Sequence, residues 1–153
     1  MRIGTKADGT FAITNVPAGR IWLVYPKMES TRDIGADVVA HETKDDGQEV
    51  DVGDIVLTKA YTLRGKGVLS DGKPIPPDIR LTLSADRAWD NQILTIGSDG
   101  RFEARGLPVG IYSLSPAVRG YRLPDGFNVE ALVNRDSSDL VIRVEHQPSA
   151  ARQ

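Results

Sequence analysis

The sequence predicts an all-β fold, an antiparallel Greek-key β-sandwich, from its turn residues, its apolar alternation and its internal repeat. The dipeptide Asp-Gly occurs five times in 153 residues, and it adopts the positive φ angles of tight turns at little cost. Apolar and polar residues alternate between these turns, which is the period of a half-buried strand. We therefore expect hairpins and short strands along the chain.

The alternation is clearest in residues 79–84 and 140–144. In the first segment isoleucine and two leucines are separated by arginine and threonine, and in the second leucine, isoleucine and valine occupy every other position. No window of eleven residues keeps an apolar stripe at helical spacing, and nine prolines interrupt the chain. We expect little or no helix.

The bulk composition limits the possible partners and chemistry. Nineteen basic against 21 acidic residues give a formal net charge of −2 at pH 7, so no excess positive charge attracts nucleic acid or anionic lipid. The absence of cysteine removes disulfides, thiolate nucleophiles and cysteine-ligated zinc. No stretch approaches the ~18 apolar residues that span a bilayer, and residues 1–5 lead into a turn without a signal-peptide core. We expect neither membrane insertion nor an export signal in this chain.

The chain repeats itself. An offset of 91 places residues 8–11 on 99–102 and residues 16–19 on 107–110, so that Leu23 falls on Leu114. A later offset of 85 places residues 54–57 on 139–142. The first copy therefore has a connection six residues longer, which we place within residues 27–50.

The repeat predicts the domain organisation. The second copy is preceded by further strand and turn signals that the first lacks, so residues 60–146 are predicted to form one complete sandwich of about seven strands. Residues 1–59 are predicted to be the C-terminal half of a preceding module, and residues 147–153 a disordered tail. The half-module belongs to a longer chain, or it is completed by its neighbour or another copy. The predicted core of the complete module is Leu81, Leu83, Phe102, Tyr112, Leu114, Leu140 and Ile142.

The segments SDGRFEARGLPVGIYSLS and ADGTFAITNVPAGRIWLVY resemble the carboxypeptidase regulatory-like domain, with its D-G-x-F and L-P-x-G-x-Y-x-L pattern. The opening YTLRGKGVLSDGKPIP is similar to the first strand and turn of that family. The first copy departs from the pattern because Arg20-Ile21 replaces the tyrosine, and Gly67 stands where an aliphatic residue is usual. The resemblance implies a prealbumin-like sandwich, an accessory domain without a reaction or cofactor of its own, and an extracytoplasmic location (periplasmic, cell surface or secreted).

Side chains for catalysis or metal binding are few. The chain has only His41 and His146, which cannot supply the several histidines of related hydroxyisourate hydrolases or the iron ligands of intradiol dioxygenases. We expect no enzyme activity, catalytic residue or metal site. The acidic residues Asp45-Asp46 and those around Asp86 and Asp90 lack the D-x-D-x-D-G spacing of a calcium loop, so solvated turns are the favoured interpretation.

An isopeptide bond of the collagen-adhesin B type requires a lysine, an asparagine or aspartate, and a buried acid. Lys66, Asp139 and Glu103 are the nearest candidates. Because Glu103 adjoins the inward Phe102, it is expected to face solvent, so we do not expect the bond to form.

Two tryptophans are the candidate recognition residues. Trp89 is followed by Asp90 and Asn91, and an indole beside polar groups is a common way to stack on a sugar ring. The alternative is an indole that folds back as a lid over one end of the sandwich. A carbohydrate- or peptide-binding module that uses this loop or an exposed sheet edge is therefore the alternative to a structural or interaction module, whose partners would be other domains of a longer chain or a partner protein.

A second candidate surface is an interface at Trp22 and Val24. The alignment of Leu23 with Leu114 makes Ile21, Leu23 and Tyr25 the inward face of their strand. Trp22 and Val24 are then expected to point outward, where the second copy has serines. We therefore expect the second module, another chain or upstream residues to cover Trp22.

Overall fold

The computed structural model describes residues 1–28, 32–77 and 79–148. These residues form β-strands and no α-helix, so the predicted all-β sandwich is confirmed. The strands are β1 (Arg20–Val24), β2 (Ile34–Gly35), β3 (Val39–Thr43), β4 (Thr58–Lys59), β5 (Tyr61–Leu69), β6 (Arg80–Ala85), β7 (Asn91–Thr95), β8 (Arg101–Leu107), β9 (Gly110–Ala117), β10 (Tyr121–Arg122), β11 (Val129–Val133) and β12 (Ser137–His146).

The strands from β5 to β12 form two four-stranded sheets. One sheet has the order β10–β12–β5–β8 and the other β11–β9–β6–β7. The pairs are antiparallel except β5 and β12, which run parallel. The prediction of a purely antiparallel sandwich needs this one correction, which is possible because a whole module separates the two strands and provides the crossover that a parallel pair needs.

The inner faces of the two sheets share one hydrophobic core. Its fully buried side chains include Leu81, Leu83, Leu107, Leu114 and Ile142. Burying one such side chain contributes about 1.5–3 kcal/mol to the free energy of folding. All the predicted core residues are buried except Leu140, which is half-buried and packs against the others.

The place of Phe102 in this core depends on a glycine. Phe102 lies directly across from Gly65 of β5. A Cβ atom at Gly65 would come within 2.4 Å of the Phe102 ring and 2.7 Å of the Leu140 carbonyl oxygen. The same atom at Gly67 would lie no closer than 3.6 Å to Ile96, which is an ordinary contact. The Phe102 ring therefore requires a glycine at position 65, whereas position 67 has room for a Cβ atom.

All five Asp-Gly glycines have positive φ, as predicted for tight turns. None of these turns joins two hydrogen-bonded neighbouring strands in the described part of the chain, so the hairpin prediction is wrong. The pairs at residues 71–72 and 99–100 instead mark places where the chain crosses from one sheet to the other. The tight hairpin between β6 and β7 turns through residues 86–90 without glycine.

In the first copy, β1 and β3 reproduce the β9–β11 ladder. Adding 90 to both residues of any β1–β3 pair gives a β9–β11 pair, so that Trp22↔His41 corresponds to Tyr112↔Ala131. The structural offset of these strands is therefore one less than the 91 of the sequence alignment.

This difference of one residue reverses the faces of β1. Ile21 is 71% exposed and Leu23 is 40% exposed, whereas Trp22 and Val24 are half-buried. The prediction that Trp22 and Val24 point outward is wrong, and these two residues occupy the face that Tyr112 and Leu114 occupy in the second copy.

The turn before the strand explains the reversal. Gly19 has a φ of +73°, whereas its sequence counterpart Gly110 does not lie in the positive-φ region. The change of offset from 91 to 90 means that the first copy has one extra residue before this strand, and a one-residue shift reverses the alternation of side chains. A glycine in the left-handed conformation accommodates such an extra residue.

The rest of the first copy contains little regular structure. Residues 10–16 and 54–57 repeat the sequences of β8 and β12, yet they form no strand. Because the β1–β3 and β9–β11 connections are equal in length, one of the six extra residues of the first copy lies before β1 and the other five lie after β3, between Thr43 and Asp54. The predicted domain boundary between residues 59 and 60 stays a prediction. Of the predicted tail, Gln147 donates its N–H to the Gly120 carbonyl oxygen, and residues 149–153 lie outside the described residues.

Gly65→Ala is expected to destabilise the complete module by about 1–3 kcal/mol, because its methyl group must displace the Phe102 ring or the β12 backbone. Gly67→Ala, on the same face of the same strand, is the matched control and is expected to be neutral or slightly stabilising. Urea unfolding of both variants measures the difference. Equal stability of the two variants would contradict the packing described for Phe102.

Candidate functional site

The β6–β7 turn places two neighbouring side chains in opposite environments. Trp89 is 90% exposed, whereas Asp90 is 3% exposed. The turn is fixed by its backbone, since the Ala85 N–H donates to the Asp90 carbonyl oxygen at 3.0 Å and the Asp86 N–H donates to the Ile111 carbonyl oxygen at 3.1 Å. The turn therefore leaves the indole in solvent and places the carboxylate inside.

Asp90 binds the loop after β1 in the first copy. Its Oδ1 lies 2.5 Å from the Lys27 ammonium, and its Oδ2 accepts the Met28 N–H at 2.8 Å. The Lys27 ammonium also donates to the Asn91 carbonyl oxygen at 3.0 Å. The three predicted ligand-binding residues are thus not brought together as one exposed group. Asp90 and the Asn91 backbone contact the chain itself, and the side chains of Trp89 and Asn91 are exposed to solvent.

The same loop closes one end of the complete module. The Met28 side chain is buried in the shared core. Farther along the loop, a Cβ atom at Gly35 would lie 2.7 Å from Pro108, and the Ala60 N–H donates to the Asp33 carbonyl oxygen at 2.9 Å. Sequence reasoning missed Lys27 and Met28 because a lysine and a methionine in a loop belong to no periodic pattern.

The Asp90 carboxylate adds negative charge to this end of the module. Burial raises the pKa of the Tyr112 hydroxyl, and the Asp90 and Asp37 carboxylates raise it further. The pKa of Tyr25 is raised for the same two reasons, by burial and by Asp90. Both tyrosines therefore stay neutral, and the Tyr112 hydroxyl donates to the Pro108 carbonyl oxygen at 2.7 Å.

The second candidate, at Trp22 and Val24, faces the inside of the first copy. The Trp22 indole N–H donates to the Thr43 hydroxyl at 3.1 Å and to the Pro17 carbonyl oxygen at 3.3 Å. The Trp22 indole N–H thus binds the Pro17 carbonyl oxygen as the Tyr112 hydroxyl binds the corresponding carbonyl oxygen of Pro108. The neighbouring His41 has a buried Nε2 atom with no hydrogen-bond partner among the described residues.

The isopeptide candidates lie on the outer side of the first sheet. Lys66, Glu103 and Asp139 are exposed. Glu103 accepts from Arg105 and, at 2.6 Å, from Arg64, and these two hydrogen bonds lower its pKa. Glu103 is thus held as an ionised surface group.

The histidines lie on different strands. His41 is on β3, whereas His146 ends β12 and stacks edge-to-face on Tyr121, with 5.6 Å between ring centroids. Within residues 1–28, 32–77 and 79–148, no group of three or more histidine, cysteine or acidic residues has the geometry to hold a metal ion. Nor does this part of the chain contain a helix long and apolar enough to cross a membrane.

No protein-family model and no curated protein matches the sequence. Solved structures of similar shape do match. The major pilin subunit BcpA of Bacillus cereus has a TM-score of 0.50 and 15% identity over 60% of this chain. GBS52, the minor pilin of Streptococcus agalactiae, has a TM-score of 0.49 and 18% identity over 97% of this chain and 69% of its own. A DUF3823 family protein from Parabacteroides merdae has a TM-score of 0.45 and 17% identity over 57% of this chain and 46% of its own.

The matched part spans 30% of the length of the Bacillus cereus pilin subunit. At that identity the likeness concerns the fold, and it agrees with the β-sandwich described above.

Asp90→Ala is expected to lower the free energy of unfolding by about 1–3 kcal/mol, because the Met28 N–H loses this acceptor and Lys27 loses the carboxylate. It is also expected to speed proteolysis within residues 25–38. Asp86→Ala, in the same turn but exposed, is the control and is expected to change stability by less than about 0.5 kcal/mol. Two variants that unfold and cleave alike would show that the Asp90 contacts do not fasten the loop.

Proposed function

We propose that this chain is a non-catalytic structural module that spaces or docks a functional domain within a longer extracytoplasmic protein. The observation that carries the proposal is the parallel pairing of β5 and β12. These are the first and last strands of the complete module, and because they run in the same direction, the chain begins the module at one end and leaves it at the other. A module of this kind adds length to a polypeptide.

The added length is set by strand geometry. β12 contains 10 residues. At 3.3 Å per residue it spans roughly 33 Å, so one module separates the chain segments on its two sides by about that distance.

Stiffness is the second requirement of a spacer, and the contact between the copies supplies it. Met28 of the first copy is buried in the core of the second, and Lys27 forms an ion pair with the buried Asp90. A loop that is fastened by both apolar and ionic contacts restricts rotation between consecutive copies far more than a free linker does.

The comparisons and the family resemblance support the location and class of the proposed function. The Bacillus cereus protein of similar fold is a major pilin subunit. The carboxypeptidase regulatory-like resemblance points to accessory domains of surface or periplasmic proteins. Other domains of a longer chain, or a partner protein, are accordingly the proposed partners.

Single-molecule energy transfer tests the spacer role directly. Because the chain has no cysteine of its own, two introduced cysteines can be labelled specifically. We expect a narrow distance distribution between dyes at Glu42→Cys and Arg143→Cys, and a broader one when Asp90→Ala and Met28→Ala are added. A distribution as broad in the parent as in the loosened variant would contradict a stiff spacer.

Carbohydrate or peptide binding is the second candidate function, and the exposed Trp89 favours it. If the loop binds sugars, titration with chitotetraose or cellotetraose is expected to give heat that Trp89→Ala abolishes, because stacking on an indole supplies much of the binding free energy. Phe127→Ala is the control, since Phe127 is 96% exposed on a different loop. Binding that survives Trp89→Ala would exclude this loop as the site.

A further inference from the structure

In the complete copy, two strands close the sandwich around the rest. β5 lies between β8 and β12 and pairs with both. β6 pairs with the edge of β9 that β11 leaves open, along residues 80–85. Without β5 and β6, β8 would lose its ladder partner and β9 would have one free edge.

The first copy shows the losses expected from lacking these two strands. It contains sequence counterparts of β8, β9, β11 and β12, but residues 1–59 hold none of β5 or β6. The counterparts of β8 and β12, residues 10–16 and 54–57, are not strands, whereas the β1–β3 ladder is intact. These two segments would pair with a β5 counterpart, whereas Thr58–Lys59, at the positions of Arg143 and Val144 in β12, form β4 and pair with β2.

The exposure of the side chains in these two segments agrees with the loss of their strand partners. Ile13 is 36% exposed and its counterpart Ala104 is 1% exposed. Leu57 is 49% exposed and its counterpart Ile142 is 1% exposed. Positions that face the core in the second copy are therefore in contact with water in the first, although their residues are apolar.

The β1–β3 ladder carries two further signs of an incomplete core. Among the described residues β1 pairs with β3 alone, so its second edge is open. His41, whose counterpart Ala131 is buried in the complete core, has a buried Nε2 without a hydrogen-bond partner in the described residues. An open edge beside a half-buried indole is a place where an added strand gains both ladder hydrogen bonds and apolar contacts.

From these observations we propose that the first copy is completed by a segment from outside residues 1–153 that adds a β5-like and a β6-like strand. The first added strand enters between residues 10–16 and 54–57, with a glycine facing Phe11 as Gly65 faces Phe102. The second pairs with the open edge of β1 and turns two aliphatic side chains inward, as Leu81 and Leu83 do in β6.

A second copy of this chain is not the proposed donor. Its β5 is already paired on both edges, with β8 and β12, and its β6 is paired with β7 and β9. Lending either strand would break a complete sandwich to build another. This proposal rests on the structural role proposed above. Stiffness and strand addition are measured in separate experiments, so either proposal can fail alone.

The test is a fusion in which a duplicate of residues 61–96 replaces residues 1–5 of the full chain, which recreates the order of the complete copy. We expect amide hydrogen exchange in residues 10–16 and 54–57 to slow by about tenfold or more, because these segments gain ladder partners. The same segment added as a free peptide is expected to give the same protection when it is in excess.

The matched control carries Leu81→Asp and Leu83→Asp in the added segment only, and it is expected to exchange like the parent chain. Exchange in β9 and β12 reports that the complete copy stays folded in every protein. The proposal is overturned if residues 10–16 and 54–57 remain unprotected both in the fusion and with the peptide. It is also overturned if the parent chain is already a dimer by light scattering with these segments protected, since a second copy is then the donor.

Discussion

Strand β5 is hydrogen-bonded along both of its edges, and the rest of the sandwich depends on this position. Its antiparallel partner β8 brings Phe102 into the core, and its parallel partner β12 brings Ile142. The strand tolerates both neighbours because Gly65 leaves room for the Phe102 ring beneath the β12 backbone. Where a β5 counterpart is lacking, in residues 1–59, the segments that resemble β8 and β12 stay irregular.

The parallel pairing also decides what the module can do in a longer polypeptide. In a sheet whose first and last strands are antiparallel neighbours, the chain returns to the end at which it began. Here it leaves at the opposite end, and the ion pair and buried methionine at residues 27–28 fasten the preceding copy to the starting end. In the proposed spacer role, length would come from the direction of β5 and β12 and stiffness from this one loop contact.

The sequence predicted those features that depend on local patterns. Alternation found the core because the side chains of a strand have a period of two, and Asp-Gly found the turns because glycine adopts positive φ at little cost. It could not find which strands those turns connect, because pairing is decided across the whole module. The face of β1 was predicted wrongly for a more local reason, since φ at Gly19 is not encoded in the alternation of the residues after it.

In the candidate site, too, local sequence patterns do not identify contacts between distant parts of the chain. Trp89 and Asp90 are neighbours in sequence, which predicts one polar loop, but successive residues of a turn point in different directions. The partner of Asp90 lies 63 residues away, so no local pattern identifies it as a buried ion-pair residue. The sequence did provide the repeat, and comparing its two copies reveals which strands the first copy lacks.

The two ends of the complete module differ in the loops that would contact a preceding and a following copy. Ala85 pairs with Tyr112 and Arg80 with Ala117, so the β6–β7 turn and the loop of residues 118–128 lie at opposite ends of β9. The first end receives the loop of the preceding copy. The second end presents the same loop of its own copy, and Phe127 is 96% exposed there. A following copy in the same arrangement would meet this loop, in which Val118 holds the position of Met28 by the offset of 90 and Phe127 adds an exposed apolar side chain.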